Sequence, residues 1–309
     1  MGGENRKSTV MNDPIGTKTV VFVSGADFSG TTMLDLMLGS AFSAISIGEI
    51  HAYFRPTKRE HLSKKCSCGK VDCEAWHGLE ALDETSIYQA IFASNDHVTH
   101  IIDSSKSLPW IRKMSRVAKL QGYEVRHVLI WKNPEDYAIS CRKRGRGRRW
   151  ATKWMNYNRA YISIVEDFYT IAISDLLGNY DIEMKAICDW VGLDYDKSMR
   201  EYWLSSHHLL FGSATAGLML HKDGSREKEN VIRSSLRFDI NDSPTNEVRN
   251  DKDQKLTARM SKKITHLMRL LSGNGRKSVG FDRWRMFYYA AYIKNRALVL
   301  VLMIRRVLH

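Results

Sequence analysis

Four stretches of the chain are almost continuously apolar and rich in Val and Ile: TVVFVS (19–24), VTHIIDS (98–104), EVRHVLIW (124–131) and FYTIAIS (168–174). Runs of this kind are expected of strands covered on both faces. Between them the pattern shifts to a helical period. One helix is expected from about Gly30 to Ser40. Another follows Pro109, with Ile111, Met114, Val117, Ala118 and Leu120 roughly on one face. A third opens at Asn133-Pro134, a capping residue followed by proline at the first helical position. A fourth, EMKAICDWVG (183–192), ends at a glycine. Strands alternating with helices predict an α/β fold with a parallel sheet flanked by helices. There is no internal repeat.

Three segments break the alternation. Residues 1–17 are polar and expected to be disordered, leaving one α/β domain over 18–309. Residues 222–256 are highly polar and read as a long mobile loop, and the segment at about 283–308 reads as a basic, aromatic-rich helix. That helix can pack on the core, form a homodimer or lie on an anionic membrane. The longest apolar run, ALVLVLMI (297–304), is shorter than a membrane-spanning helix needs. The N-terminus shows no apolar signal core, and Arg6 breaks the myristoylation pattern.

Composition changes the picture in two places. The formal net charge of +13 implies an acidic partner: a polyanionic cofactor, an anionic substrate, nucleic acid or a membrane surface. No nucleic-acid recognition motif accompanies it, so nucleic acid is not the expected partner. The five cysteines are odd in number, and nothing implies export. Reduced thiols and a cytoplasmic location follow, with peripheral membrane contact as the alternative.

The candidate chemistry starts in GADFSGTT (25–32), which follows the first strand and opens a helix. Gly25 and Gly30 have the G-x4-G spacing of a phosphate-binding loop. The glycines let the backbone approach an anion, and the amides at the helix start point at it. A kinase or NTPase loop continues with lysine. Here Thr31 and Thr32 follow Gly30, and two hydroxyls with a helix N-terminus can grip a phosphate without metal. The plain alternative is a glycine turn entering an ordinary helix; the strand, loop, Ser29-Gly30-Thr31-Thr32 and helix together argue against it.

A second anion site is expected beside the first. Lys132 follows the strand that ends at Trp131, and Ser140 lies eight residues later on the next helix. Ligands in parallel sheets sit outside the carboxyl ends of the strands. Two phosphate sites without the loop lysine suit a 3′,5′-bisphosphonucleoside better than ATP.

At this point the sequence resembles the sulfotransferases that use 3′-phosphoadenosine 5′-phosphosulfate (PAPS). SGTT (29–32) is similar to their 5′-phosphosulfate loop, and Lys132-Asn133-Pro134 with Ser140 is similar to their 3′-phosphate motif. IGEIHAYFR and KCSCGKVDCEAWHGL, within 47–79, resemble the Gly-Glu and Cys-x-Cys-Gly…Cys-x-x-Trp segments of a bacterial subfamily, and IIDSSKSLPWIRKM (101–114) resembles its Asp-Ser-Ser-Lys segment. The spacing from loop to Glu49 also matches that to the catalytic glutamate of tyrosylprotein sulfotransferases. The resemblance covers about 20–145 and extends to about 195. It implies a P-loop nucleotide-kinase-like architecture and sulfuryl transfer from PAPS to a hydroxyl or amine on a small-molecule, lipid or glycan acceptor, with 3′,5′-ADP as product. The rival readings are an ATP-dependent small-molecule kinase and a catalytically degenerate fold that only binds anions.

The resemblance assigns Ser29, Gly30, Thr31, Thr32, Lys132 and Ser140 to the cofactor and Glu49 and Lys106 to catalysis. Glu49 would take the acceptor's proton, and Lys106 would stabilise charge on the leaving oxygen. Asp103 reads as a brace for the turn. The chain departs from the family at Phe28, where a cation is usual, at Lys132, where arginine is usual, and at FGSAT (211–215). GRKSVGFDRW (275–284) is loosely similar to the family's C-terminal nucleotide loop. The basic run CRKRGRGRRW (141–150) either contacts the 3′-phosphate or an anionic acceptor, or is a solvated loop. No metal is expected. Cys66, Cys68 and Cys73, with His61 or His77 near, are a zinc alternative, but C-x-C-x4-C is not a standard half-site. Packed thiols or a disulfide are the competing readings.

Overall fold

The computed structural model describes residues 17–56, 66–68, 70, 73–211, 220 and 261–278. The N-terminal residues 1–16, the polar stretch 222–256, the basic segment 283–308, His61, residues 212–215 and residues 279–284 lie outside them.

The sheet is built from β1 (Thr19–Ser24), β2 (Ala44–Gly48), β3 (His100–Asp103), β4 (Glu124–Trp131), β5 (Asp167–Ala172) and β6 (Gly275–Ser278). Their order is β2-β3-β1-β4-β5-β6. The first five are parallel, and β6 joins β5 antiparallel. Helices α1 (Thr31–Leu38), α2 (His51–Phe54), α3 (Ile87–Ser94), α4 (Leu108–Leu120), α5 (Pro134–Lys143), α6 (Trp150–Ile164), α7 (Ile173–Gly178), α8 (Tyr180–Val191) and α9 (Ser261–Leu271) connect and cover the strands. Glycine loop, strand order and flanking helices define a P-loop nucleotide-kinase-like α/β fold.

Alternate residues of each strand serve opposite layers, which is why the strands read as unbroken apolar runs. Val20 and Phe22 of β1 enter a core with Tyr88, Phe92, Trp110, Met114, Trp154 and Leu271. Val21 and Val23 enter the other core with Leu34, Leu36, Met184, Ile187 and Val191.

The strand ends differ from the apolar runs for reasons of pairing. β3 begins at His100 because its neighbour β1 begins at Thr19, paired with it. β5 stops at Ala172, paired with Trp131 at the end of β4. Ile173 and Ser174 then open α7. Asn133 caps α5 by accepting from the Asp136 amide at 2.8 Å, and Gly192 ends α8 at φ 84°. Because β1 to β5 are parallel, Gly25, Glu49, Ser104, Lys132 and Ile173 all follow strands at one edge of the sheet. A cavity of about 450 Å³ lined by Thr19, His100, Glu124 and Arg126 opens at the opposite, amino edge.

Candidate functional site

The loop after β1 turns into α1 through Gly30, whose φ of 94° lies in the left-handed region. A side chain there would be strained, and its Cβ would come within 2.6 Å of Ile173 Cδ1. No side chain caps α1, and the first turn of a helix carries the positive end of its dipole, where an anion is favoured. The Ser29 hydroxyl is buried and has no hydrogen-bond partner among the described residues. The Gly25 amide donates to the Tyr157 hydroxyl at 3.2 Å, which ties the loop to α6.

Phe28 also has a positive φ, 67°, a conformation uncommon for a bulky residue. Its ring underlies two guanidiniums, Arg144 at 4.6 Å and Arg146 at 5.7 Å. Two cations of the 141–150 run thus stand beside this loop position. Phe28 is the shelf on which those arginines stack.

The second expected anion site lies at the end of β4, the strand beside β1. Lys132 Nζ donates to Ser140 Oγ at 3.0 Å. Trp154 Nε1 fixes the Lys132 carbonyl at 2.8 Å, and Arg144 donates to the Ser140 carbonyl at 3.1 Å. Burial, with help from nearby Arg144, brings the Lys132 ammonium down to about 8 from the ordinary lysine value. An anion there relieves that cost. Arg144, through Phe28 and Ser140, links the two sites; sequence reasoning marked its basic run but not this residue.

Glu49 and Lys106 meet although they come from different strand ends. Lys106 Nζ pairs with Glu49 Oε1 and lies 3.5 Å from Thr31 Oγ1. One ammonium therefore joins the carboxylate to the phosphate loop. Both side chains remain partly exposed, at 18% and 17%. A hydrogen-bond network holds them. Asp103 is fully buried and accepts from Tyr88 Oη at 2.6 Å, Trp110 Nε1 at 2.9 Å and the Ser105 amide at 2.7 Å. The His51 amide donates to Ser105 Oγ at 3.1 Å, which ties the start of α2, just after Glu49, to the Lys106 turn.

Asp35 closes the network from below. It accepts from Ser46 at 2.7 Å and Ser104 at 2.6 Å, joining α1 to the ends of β2 and β3. Burial raises its carboxyl from 3.8 to about 7, against the pull of the two serines. The folded state therefore holds a proton that the unfolded state has lost between about pH 4 and 7. This stability is fully present below about pH 4, declines as pH rises to about 7, and is constant above. Asp35→Asn removes the decline, so the gap between the variant's and the wild type's unfolding free energies, taken from urea titrations, should change by roughly 4 kcal/mol across that window. A pH-independent gap would show that Asp35 does not titrate there.

The eight residues expected from the sequence fall into one band along the strand carboxyl edge. Ser29, Gly30, Thr31 and Thr32 form the loop, with Lys132 and Ser140 on one side and Glu49 and Lys106 on the other. Unforeseen were Arg144, Tyr157 and Asp35. Asp35 sits where its α1 neighbours Leu34 and Leu36 read as core, so no local signal marked it.

No family model and no curated protein matches the chain. Eight solved chains do. The sulfotransferase domain of the Synechococcus PCC 7002 olefin synthase matches at 15% identity and a TM-score of 0.47, over 81% of this chain and 96% of its own. The sulfotransferase domain from the curacin biosynthetic pathway matches at 15% identity and 0.47, over 79% and 97%. Among the described residues, no helix is long and apolar enough to cross a membrane.

Proposed function

We propose that this chain is a sulfotransferase that uses PAPS as its donor and a hydroxyl or amine of a small-molecule or glycan acceptor. The observation that carries the reading is Lys106, which touches Glu49 and the phosphate loop at once, beside a second basic site at Lys132, Ser140 and Arg144. An ATP-dependent kinase would need a lysine directly after Gly30, where Thr31 stands.

The residues fit the donor. The uncapped start of α1 and the unpartnered Ser29 hydroxyl suit the 5′-phosphosulfate. Lys132, Ser140 and Arg144 suit the 3′-phosphate. PAPS, when bound, supplies an activated sulfuryl group. Glu49 takes the proton that the acceptor oxygen or nitrogen loses as it attacks. Lys106 donates toward the oxygen on which charge builds, and its contact with Thr31 keeps it at the loop. Asp103, consumed by three donors in the interior, has no part in proton transfer. The direct experiment is to incubate the protein with PAPS and a panel of hydroxyl and amine acceptors and to measure release of 3′,5′-ADP. Acceptor-dependent release supports the reading; transfer of phosphate from ATP instead would replace it.

The Lys132 site makes a pH prediction. A bound 3′-phosphate raises the lysine's value above its free value of about 8. The charge contribution to affinity is then fully present below about pH 8 and is lost above it. Titration calorimetry with 3′,5′-ADP should show affinity nearly flat from pH 7 to 8 and falling by up to about tenfold per unit above. Lys132→Arg stays charged and should remove the decline. An unchanged decline in that variant would assign it to another group.

A further inference from the structure

Cys66, Cys68, Cys73 and His208 stand apart from this site as a cluster. Their four donor atoms all lie within 4.8 Å of one another. His208 Nδ1 is 3.2 Å from Cys73 Sγ and 3.8 Å from Cys66 Sγ. A tetrahedral zinc with Zn–S near 2.3 Å and Zn–N near 2.05 Å has S···S edges of about 3.8 Å and S···N edges of about 3.6 Å. The cluster matches those edges with small adjustments. All three cysteines are free thiols rather than disulfide-bonded.

We propose that these four residues form a structural Zn²⁺ site. Three thiolates and one imidazole make a closed, soft donor set that suits zinc and leaves no position for substrate. A supporting contact orients the histidine. Ser206 Oγ lies 3.2 Å from His208 Nε2, so the other ring nitrogen faces the sulfurs, as metal-bound histidines usually require. The backbone is also shaped for the site. Ser67 and Leu209 exchange hydrogen bonds, at 3.0 Å from the Ser67 amide and 3.1 Å to the Ser67 hydroxyl, and Cys66 bridges Leu210. These contacts hold the Cys66–Cys68 turn against the strand-like 207–210 segment. The fourth donor comes from 135 residues beyond Cys73, which explains why neither His61 nor His77, the local choices, completed a recognisable motif.

The clip has a consequence for Glu49. The Glu49 amide donates to the Leu210 carbonyl at 2.9 Å, and Gly48 bridges the same residue. Gly48 permits this approach: its φ is 66°, and a Cβ would stand 2.4 Å from the Leu210 carbonyl oxygen. The metal thus fastens the backbone that positions the carboxylate, without touching the reacting atoms. This inference does not rest on the sulfotransferase reading.

The test uses the full-length, tag-free protein, reduced, reconstituted with Zn²⁺ and dialysed. Elemental analysis is expected to give about one zinc per chain, and Co²⁺ in its place to give the absorption of a tetrahedral thiolate complex. Cys73→Ser and His208→Ala should each lose most of the metal, while His208→Cys, which restores a fourth soft donor, should keep it. Stripping zinc from the wild type should lower Tm by roughly 5 °C or more. The proposal is overturned if folded, reconstituted wild type holds less than about 0.2 zinc per chain. It is equally overturned if a disulfide is found among the three cysteines, or if Cys73→Ser and His208→Ala both keep their zinc. Should those two variants not fold, the wild-type stoichiometry and the cobalt spectrum decide alone.

Discussion

Glu49→Gln is expected to lower turnover by about 10²–10⁴-fold, the range spanned by a positioned general base. Glutamine keeps the shape of the side chain, and its amide oxygen can still accept from Lys106, so the network around α2 stays intact. What it loses is the ability to take a proton. The effect should fall on kcat, and 3′,5′-ADP affinity should stay within about twofold of wild type, because the proposed nucleotide site uses the loop and Lys132 rather than the carboxylate. Steady-state kinetics beside calorimetry on the same preparation separates the two. Wild-type-like turnover in Glu49→Gln would remove this residue from the mechanism. Asp103 is not a substitute, since its oxygens are held by Tyr88, Trp110 and Ser105 in the interior.

Lys106→Met should cost about 10²–10³-fold in turnover, comparable to removing one preorganised donor at a developing charge. The geometry gives this lysine two partners, Glu49 and Thr31, so its loss affects both the orientation of the base and the charge beside the loop. Methionine matches the aliphatic stem, which limits any packing change. Ground-state affinity for 3′,5′-ADP should weaken only modestly, because the proposed role of the lysine is on charge that appears in the transition state. A large rise in the 3′,5′-ADP dissociation constant with unchanged kcat would instead make Lys106 a binding residue.

The parallel core was legible because its strands are buried on both faces and carry continuous apolar runs. β2 (AISIG) was not, since Ser46 and Gly48 interrupt so short a run. Ser46 is buried there because it donates to Asp35, a pairing invisible to local pattern. The glycine turn before α1 and the Lys132–Ser140 pair each lie within a single strand-turn-helix unit, so local spacing places them. Glu49 needed a family resemblance, because a lone glutamate after a short strand carries no local signal. Its meeting with Lys106 depends on β2 and β3 being neighbours, which only topology provides. Phe28 shows the reverse limit. Its side chain alone implied a missing cation, whereas the folded chain brings Arg144 and Arg146 onto its ring. His208 is the most distant case, joined to the cysteines by chain pairing through Leu209 and Leu210.

The central claim is that two anion sites at the strand carboxyl edge hold a 3′,5′-bisphosphonucleoside. A thermal unfolding series with 3′,5′-ADP and with ATP-Mg²⁺ tests it most directly. The account predicts that 3′,5′-ADP, without magnesium, stabilises the protein by about 2.7 kcal/mol at a hundredfold excess over its dissociation constant, and that ATP-Mg²⁺ at equal concentration stabilises it far less. Stabilisation by ATP-Mg²⁺ with none by 3′,5′-ADP would contradict it.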